Sequence, residues 1–165
     1  MTESSTETKT ETSTETSTET STETETSTQT EAADATTAQH RATVEHYVRF
    51  WNAETPEEQQ RLVSATFTDE VQYYAPIGIL SGPPALIGFH DEFAQHMGKV
   101  AFRPRREPEI HHGRVRLMWR IDTQDKTPFA TGTDILVFAP DGHITTITTF
   151  LDQPPEGFDP NAHHQ

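Results

Sequence analysis

The stretch TGTDILVFAPDGHITTITTF, residues 131–150, decides the fold because it has the pattern of two strands joined by a tight turn. Residues 135–138 are Ile, Leu, Val and Phe, types that favour a buried strand. PDGH, residues 140–143, predicts the turn before the next strand, HITTITTFL. Asp134 stands directly against the apolar run, although an ionised carboxylate is costly to bury without a partner. It is therefore either a strand-end residue that reaches water or an acid held inside a pocket.

The residues before this hairpin predict more strands. RVRLMWRID, residues 114–122, alternates apolar side chains with arginines, which indicates one covered face and one face open to solvent or a partner. VAFRPRREPEI contains two prolines, as irregular or edge strands do. DEVQYYAPIG is a shorter strand, broken by its proline and glycine, on which Tyr73 faces the same way as Val71 and Ala75.

Three segments predict helices. HRATVEHYVRFWNA has apolar residues at helical spacing, from Val44 to Trp51. A short second helix begins at Thr55 as N-cap, with Pro56 in the first position and Glu58 as the capping-box partner. ALIGFHDEFAQHM forms the third helix, and its expected buried stripe consists of Leu86, Phe89, Phe93 and Met97.

This order predicts an α+β fold. The three N-terminal helices would pack in the concave face of a strongly curved, mainly antiparallel sheet and so enclose a cone. Residues 3–30 are almost entirely Thr, Ser and Glu, which predicts disorder. The expected organisation is a disordered tail over residues 1–37, the folded domain over 38–153, and an irregular tail over 154–165.

Charge and composition exclude several classes of function. The net charge is −14, of which residues 1–36 carry −8 and the rest −6, which disfavours nucleic acid or an anionic membrane as partner. No apolar run is long enough to span a membrane, and the N-terminus lacks the pattern of a signal peptide. The chain has no cysteine, so disulfides and thiol chemistry are excluded. A cytoplasmic protein is the default expectation.

The nine histidines predict no metal site. His111 and His112 are adjacent on or near a strand and point to opposite faces, whereas His90 and His96 lie too far apart around their helix. The sequence also lacks a phosphate-binding glycine loop, a Ser-His-Asp signature and a nucleotide fingerprint. We therefore expect neither a metal nor a cofactor.

Three stretches together resemble the nuclear transport factor 2-like superfamily, and within it the SnoaL-like and ketosteroid-isomerase-like proteins. They are YVRFWNAETPEEQQRLVSATFTDEV, APIGILSGPPALIGF and TGTDILVFAPDGHITTITTF, and the resemblance covers residues 40–152. It implies a cone-shaped, usually apolar pocket for a small hydrophobic molecule and commonly a homodimer through the outer face of the sheet. It does not imply a reaction, because many chemistries share this fold.

The resemblance assigns roles to individual residues. Tyr47 and Asp134 match the two groups that donate hydrogen bonds to a substrate oxyanion in the isomerases, where an apolar site keeps the acid protonated. The position of the isomerase base is Ala75, which cannot accept a proton, so His90, His112 or Tyr73 would have to replace it. The side chains expected to line the pocket are Trp51, Tyr73, Ala75, Phe89, Phe93, Leu117, Trp119, Leu136 and Thr149.

Two functions remain open, and a third is disfavoured. The chain is either an isomerase- or cyclase-type enzyme acting on a carbonyl-bearing molecule, or a non-catalytic ligand-binding or dimerisation module. Arg120-Ile121-Asp122 resembles part of the site of limonene-type epoxide hydrolases. However, strand alternation sends Arg120 and Asp122 outward unless a one-residue bulge reverses it, and Thr149 occupies the position of the last acid.

Overall fold

The computed structural model describes residues 19–159, with the backbone alone for residues 19–28 and 30. The chain divides between Asp34 and Ala35 into two units, and all the strands belong to the second. The first helix, α1, spans Glu19–Trp51, so its backbone is helical over part of the tail for which disorder is expected. Extending an existing helix costs far less than starting one, which lets polar sequence continue a helix. The disorder expected for residues 1–18 lies outside the described residues, as do residues 160–165.

Two further helices complete the helical layer, α2 over Pro56–Thr66 and α3 over Pro83–Met97. The Thr55 side chain accepts a hydrogen bond from the Glu58 backbone N–H at 3.2 Å, as the sequence predicts. The Glu58 carboxylate in turn accepts from the backbone N–H of Glu54, one residue before the cap (3.3 Å). These contacts begin α2 sharply after α1 and hold the connection between the two helices.

The seven strands form one sheet, which confirms the predicted α+β class. Its order is β2-β1-β7-β6-β5-β3, with β4 beside β5, and among these strands only the β1–β7 pair is parallel. The strand bounds are Phe67–Ala75 for β1, Gly78–Ser81 for β2, Val100–Pro104 for β3, Glu109–His111 for β4, Arg114–Thr123 for β5, Pro128–Phe138 for β6 and Ile144–Gln153 for β7. Strand β2 is an addition to the prediction, because the turn after Ala75 returns the chain along β1 instead of ending the strand.

The core lies between the helices and the inner face of the sheet. On β5 the predicted alternation is confirmed, since Val115, Leu117 and Trp119 are buried while Arg114, Arg116 and Arg120 are exposed. On α3 only Leu86 of the expected stripe is fully buried, together with His90. The other members of that stripe are half-buried, because this end of the helix borders an open cavity.

A glycine on β6 allows two strands to pack closely beside the cavity. Gly132 pairs with Trp119 of β5, and the indole lies directly over its backbone. A Cβ atom at position 132 would lie 2.2 Å from Trp119 Cζ2, far inside van der Waals contact. Glycine is therefore required here for the position of the indole, whose N–H group points to the acid two residues further along β6.

Candidate active site

A cavity of about 950 Å³ opens between the helices and the inner face of the sheet. Seven of the nine side chains expected to line it do so, namely Trp51, Tyr73, Ala75, Phe89, Phe93, Trp119 and Thr149. Leu117 and Leu136 do not line it but are fully buried in the core, with Tyr47 and Phe50. The cavity thus covers only part of the inner face of the sheet, and core side chains cover another part.

Asp134 lies in the cavity wall and is the only buried carboxylate among the described residues. Its Oδ2 atom accepts a hydrogen bond from the Tyr47 hydroxyl at 2.5 Å. Its Oδ1 atom accepts from the Trp119 indole N–H at 2.8 Å and from the Thr149 hydroxyl at 2.7 Å. These contacts join α1, β5, β6 and β7 at one carboxyl group and answer the question raised by the sequence: Asp134 is held inside.

The hydrogen bonds of Asp134 stabilise its ionised form. An indole N–H can only donate, so Oδ1 must act as an acceptor. Burial raises the pKa of Asp134 from 3.8 to about 6, while the hydrogen bonds from Tyr47, Thr149 and Trp119 oppose this rise. The result is a carboxylate that is ionised near neutral pH but binds a proton much more tightly than an ordinary aspartate.

Tyr47 lies behind Asp134 and is not among the residues that line the cavity. The side chain is fully buried, and its pKa is raised well above 10 by burial and by the nearby charge of Asp134. Its single hydroxyl proton is used in the bond to Asp134. Of the two expected donors, Asp134 therefore lies in the cavity wall and Tyr47 lies behind it.

Of the three expected substitutes for the missing base, two lie at the cavity. Ala75, the position that the resemblance assigns to the isomerase base, lines the wall. Tyr73 also lines it, but burial and the charge of Asp134 raise its pKa, which keeps the hydroxyl protonated. His112 is exposed, has a positive φ of 48° and does not line the cavity. His90, the remaining candidate, lies in the cavity wall.

His90 belongs to a polar group that was not predicted. Its Nδ1 atom lies 2.7 Å from Gln59 Nε2, which lies 2.7 Å from Asp91 Oδ1. Gln59 and His90 are both buried, although amide and imidazole side chains are usually placed outside. The sequence carried a signal for each, because Gln59 precedes Leu62 and Val63 on the inner face of α2 and His90 follows Leu86 by four residues on α3.

The epoxide-hydrolase alternative is not supported by the geometry. Arg120 and Asp122 form an ion pair with each other at 3.1 Å, and neither lines the cavity. Thr149 is the residue that β7 presents to the cavity, where a third acid would be needed. Within residues 19–159, no group of three His, Asp or Glu side chains is placed to hold a metal ion.

None of the described helices combines the length and the apolar character needed to cross a membrane.

Comparison with solved structures shows proteins of the same architecture. A SnoaL-like family protein from Agrobacterium tumefaciens, proposed to be an isomerase, is 25% identical with a TM-score of 0.65, and the match covers 70% of this chain and 98% of that chain. A protein with a cystatin-like fold from Methylobium petroleophilum is 18% identical, with a TM-score of 0.59, and the match covers 73% of this chain and 81% of that chain. A protein from Sinorhizobium meliloti, proposed to be a polyketide cyclase, is 14% identical, with a TM-score of 0.54, and the match covers 66% of this chain and 94% of that chain. No protein-family model and no curated protein matches the chain.

Proposed function

We propose that this chain, which belongs to the SnoaL-like, nuclear transport factor 2-like superfamily, is an isomerase- or cyclase-type enzyme that acts on a small hydrophobic, carbonyl-bearing molecule. The observation that carries the proposal is Asp134, a buried carboxylate that faces an apolar cavity and accepts three hydrogen bonds. An acid whose pKa lies near the working pH is suited to general acid–base catalysis.

The reaction begins with proton transfer from the carbon next to the ligand carbonyl. Asp134 takes this proton, the C–H electron pair forms a C=C bond, and the carbonyl electron pair moves onto oxygen to give an enolate. In an isomerase, the ligand also carries a C=C bond one carbon further from the carbonyl, so the anion is a dienolate. The protonated Asp134 returns the proton to the far end of that double bond, the carbonyl re-forms, and the C=C bond moves next to it. In a cyclase, the enolate carbon instead attacks a second carbonyl of the same molecule, forming a C–C bond, and the new alkoxide takes the proton from Asp134.

Tyr47 acts in this scheme on Asp134 and not on the ligand. Together with Trp119 and Thr149 it orients the carboxylate and stabilises its charge, which limits the rise in pKa that burial causes. Tyr47 is thus a positioning residue, and Asp134 is the catalytic residue. The apolar rings around the cavity exclude water and accommodate the hydrophobic part of the ligand.

Deuterium exchange of 2-tetralone tests the proposal, because this ketone has weakly acidic hydrogens next to its carbonyl and is small and apolar. The wild type should accelerate the appearance of deuterium at that carbon in D₂O, as followed by proton NMR. Asp134→Asn should reduce the enzymatic rate by about 10²-fold or more, the usual contribution of a general base. Asp122→Asn is the matched control, since Asp122 is on the same sheet but away from the cavity, and it should retain the rate.

The alternative is a non-catalytic binding protein, and Ala75 is the observation in its favour, because it stands in the wall where an isomerase base would be. The same measurement separates the two functions. If 2-tetralone binds to the wild type but exchanges no faster than in buffer, the protein is a binder and the role of Asp134 in proton transfer is refuted.

We further propose a homodimer through the outer face of the sheet. Tyr74, Ile79 and Phe150 are exposed there by 40%, 65% and 59%, and Tyr74 pairs with both Ile79 of β2 and Thr148 of β7. A twofold interface needs such a self-complementary apolar patch. Sedimentation equilibrium should give a dimer for the wild type and a monomer for Phe150→Glu. Ala65→Glu, on the exposed side of α2, should remain dimeric, and a monomeric wild type would contradict this proposal.

A further inference from the structure

The geometry points to His90 as a second ligand-recognition residue, a hydrogen-bond donor that Gln59 and Asp91 hold in one tautomer and that selects ligands with an acceptor oxygen. The inference extends the proposed function, because it adds a recognition group to the cavity in which Asp134 lies. It concerns a different wall, built by α2 and α3.

The orientation of the Gln59 amide follows from Asp91. Gln59 Nε2 lies 2.7 Å from Asp91 Oδ1, and a carboxylate oxygen can only accept a hydrogen bond when ionised. If the amide were reversed, its oxygen would lie at this distance from the carboxylate, with no hydrogen atom between two negatively polarised oxygens. The NH₂ group of Gln59 must therefore face Asp91.

The same NH₂ group determines the tautomer of His90. It also lies 2.7 Å from His90 Nδ1, and its second hydrogen points to that atom. Nδ1 also lies 3.4 Å from Asp91 Oδ1, but the Gln59 NH₂ group is much closer, and a proton on Nδ1 would point at one of its hydrogens. Nδ1 therefore presents its lone pair to Gln59, and the ring proton is on Nε2. This tautomer cannot accept a proton from a ligand at Nε2, which explains why His90 does not replace the base missing at Ala75. It can only donate.

The donor is available to a ligand. His90 has 8% of its surface exposed and lines the cavity. Nε2 has no hydrogen-bond partner among the described residues, and the atom remains accessible to solvent. Two aromatic rings fix the imidazole plane, with Trp51 stacked at 6.2 Å and Phe50 tilted at 5.6 Å between ring centroids. The N–H group is thus pre-oriented, and binding requires little loss of side-chain freedom.

The arrangement defines the ligand class more narrowly than the cavity alone. One wall offers Asp134, an acceptor that is complementary to an acidic C–H or O–H group, and another offers the His90 donor. A suitable ligand is a flat, apolar molecule with a ketone, ester or quinone oxygen for His90. In the proposed reaction such an oxygen gains negative charge, and a fixed N–H donor would stabilise it.

The tautomer can be measured without any ligand. A long-range ¹H–¹⁵N correlation spectrum at alkaline pH should show His90 with its proton on Nε2. His96, on the same helix, is an internal control of the opposite kind, because its Nδ1 lies 2.8 Å from the Glu92 carbonyl and must carry the proton. Asp91→Lys, an exchange at an exposed position, puts a donor where Gln59 needs an acceptor. It should turn the amide and move the His90 proton to Nδ1.

Ligand recognition is tested with 9-fluorenone, a flat ketone that has no hydrogen for Asp134 to remove. Its infrared carbonyl band should move to lower wavenumber on binding to the wild type and to Asp134→Asn. In His90→Phe, which keeps an aromatic ring, the band should not move and binding should weaken about tenfold, the value of one hydrogen bond.

The outcomes separate this inference from the proposed enzyme activity. A His90 proton on Nδ1 in the wild type, a carbonyl band that is unchanged by His90→Phe, or failure of fluorenone to bind would each overturn the role of His90. None of these results depends on catalysis by Asp134, which the deuterium exchange of 2-tetralone decides. Conversely, loss of that exchange activity leaves the tautomer and the infrared result unaffected.

Discussion

Replacing Asp134 with asparagine should change the stability of the protein in a way that depends on pH. Relative to the wild type, the free energy of unfolding of Asp134→Asn should be higher at neutral pH than at acidic pH. The substitution removes a buried charge and keeps the shape of the side chain. The amide oxygen can still accept from Trp119 and Thr149, and the amide NH₂ group can donate to the Tyr47 oxygen. The variant should therefore fold, and the difference between the two proteins isolates the titration of one carboxyl group.

The size of the effect follows from the shift in pKa. Folding raises the pKa of Asp134 from 3.8 to about 6, so the folded chain binds this proton more tightly than the unfolded chain. Each tenfold change in affinity corresponds to about 1.4 kcal/mol, which gives about 3 kcal/mol in total. Because the folded-state pKa is the higher one, this stabilisation is complete below pH 3.8 and is lost as the pH rises through about 6. About 2 kcal/mol of the loss falls between about pH 4.5 and pH 7.

Urea unfolding at a series of pH values measures this difference. Trp51 and Trp119, the two tryptophans, both line the cavity, so their fluorescence reports its opening. The free energy of unfolding of the wild type minus that of Asp134→Asn should fall with rising pH, with its steepest part between about pH 4 and pH 6. Other titrating groups are common to both proteins and cancel in the difference.

A difference that is independent of pH would refute the reasoning, because Asp134 would then titrate alike in the folded and unfolded chains. A difference that rises with pH would also refute it. That result would mean that the three hydrogen bonds stabilise the charge by more than burial destabilises it.

Three further substitutions test the supports of the site. Tyr47→Phe removes a hydrogen-bond donor from a buried carboxylate, so it should lower the free energy of unfolding, measured in urea, by about 1–3 kcal/mol. It should also raise the pKa of Asp134 further, as ¹³C NMR of the carboxyl carbon would show. Gly132→Ala should lower the free energy of unfolding by about 1–3 kcal/mol through overpacking. It should also displace the Trp119 indole and change its N–H chemical shift. An unchanged shift would contradict the close contact between Gly132 and the indole. Thr55→Ala should lower the thermal midpoint by removing the N-cap of α2, at a cost of about 1 kcal/mol, and Thr55→Ser should restore most of it.

The fold was largely predictable because hydrophobic period and turn chemistry agree along the chain. RVRLMWRID alternates apolar and polar residues except at Met118, and the structure buries Val115, Leu117 and Trp119. Strand β2 was not predictable in the same way, since a proline and a glycine can either end a strand or form the turn of a hairpin. The choice is made by pairing across β1, which is not a local property of the sequence.

The candidate site was only partly predictable. The resemblance to the isomerases implies that Tyr47 and Asp134 are close, and their oxygens lie 2.5 Å apart. It does not indicate which of them reaches the cavity, because that depends on how deeply α1 sits against β6. The polar group around His90 was missed for a similar reason. Gln59 and His90 are 31 positions apart, and only the packing of α2 against α3 brings them together.

The pH dependence of 2-tetralone deuterium exchange tests most directly the central claim, that Asp134 is the base of an apolar cavity. The catalysed rate should rise with pH, reach half its maximum near the Asp134 pKa of about 6 and then level off. Asp134→Asn should lower the catalysed rate by about 10²-fold or more and remove this pH dependence. An enzyme-catalysed rate that is the same in the wild type and in Asp134→Asn would contradict the account.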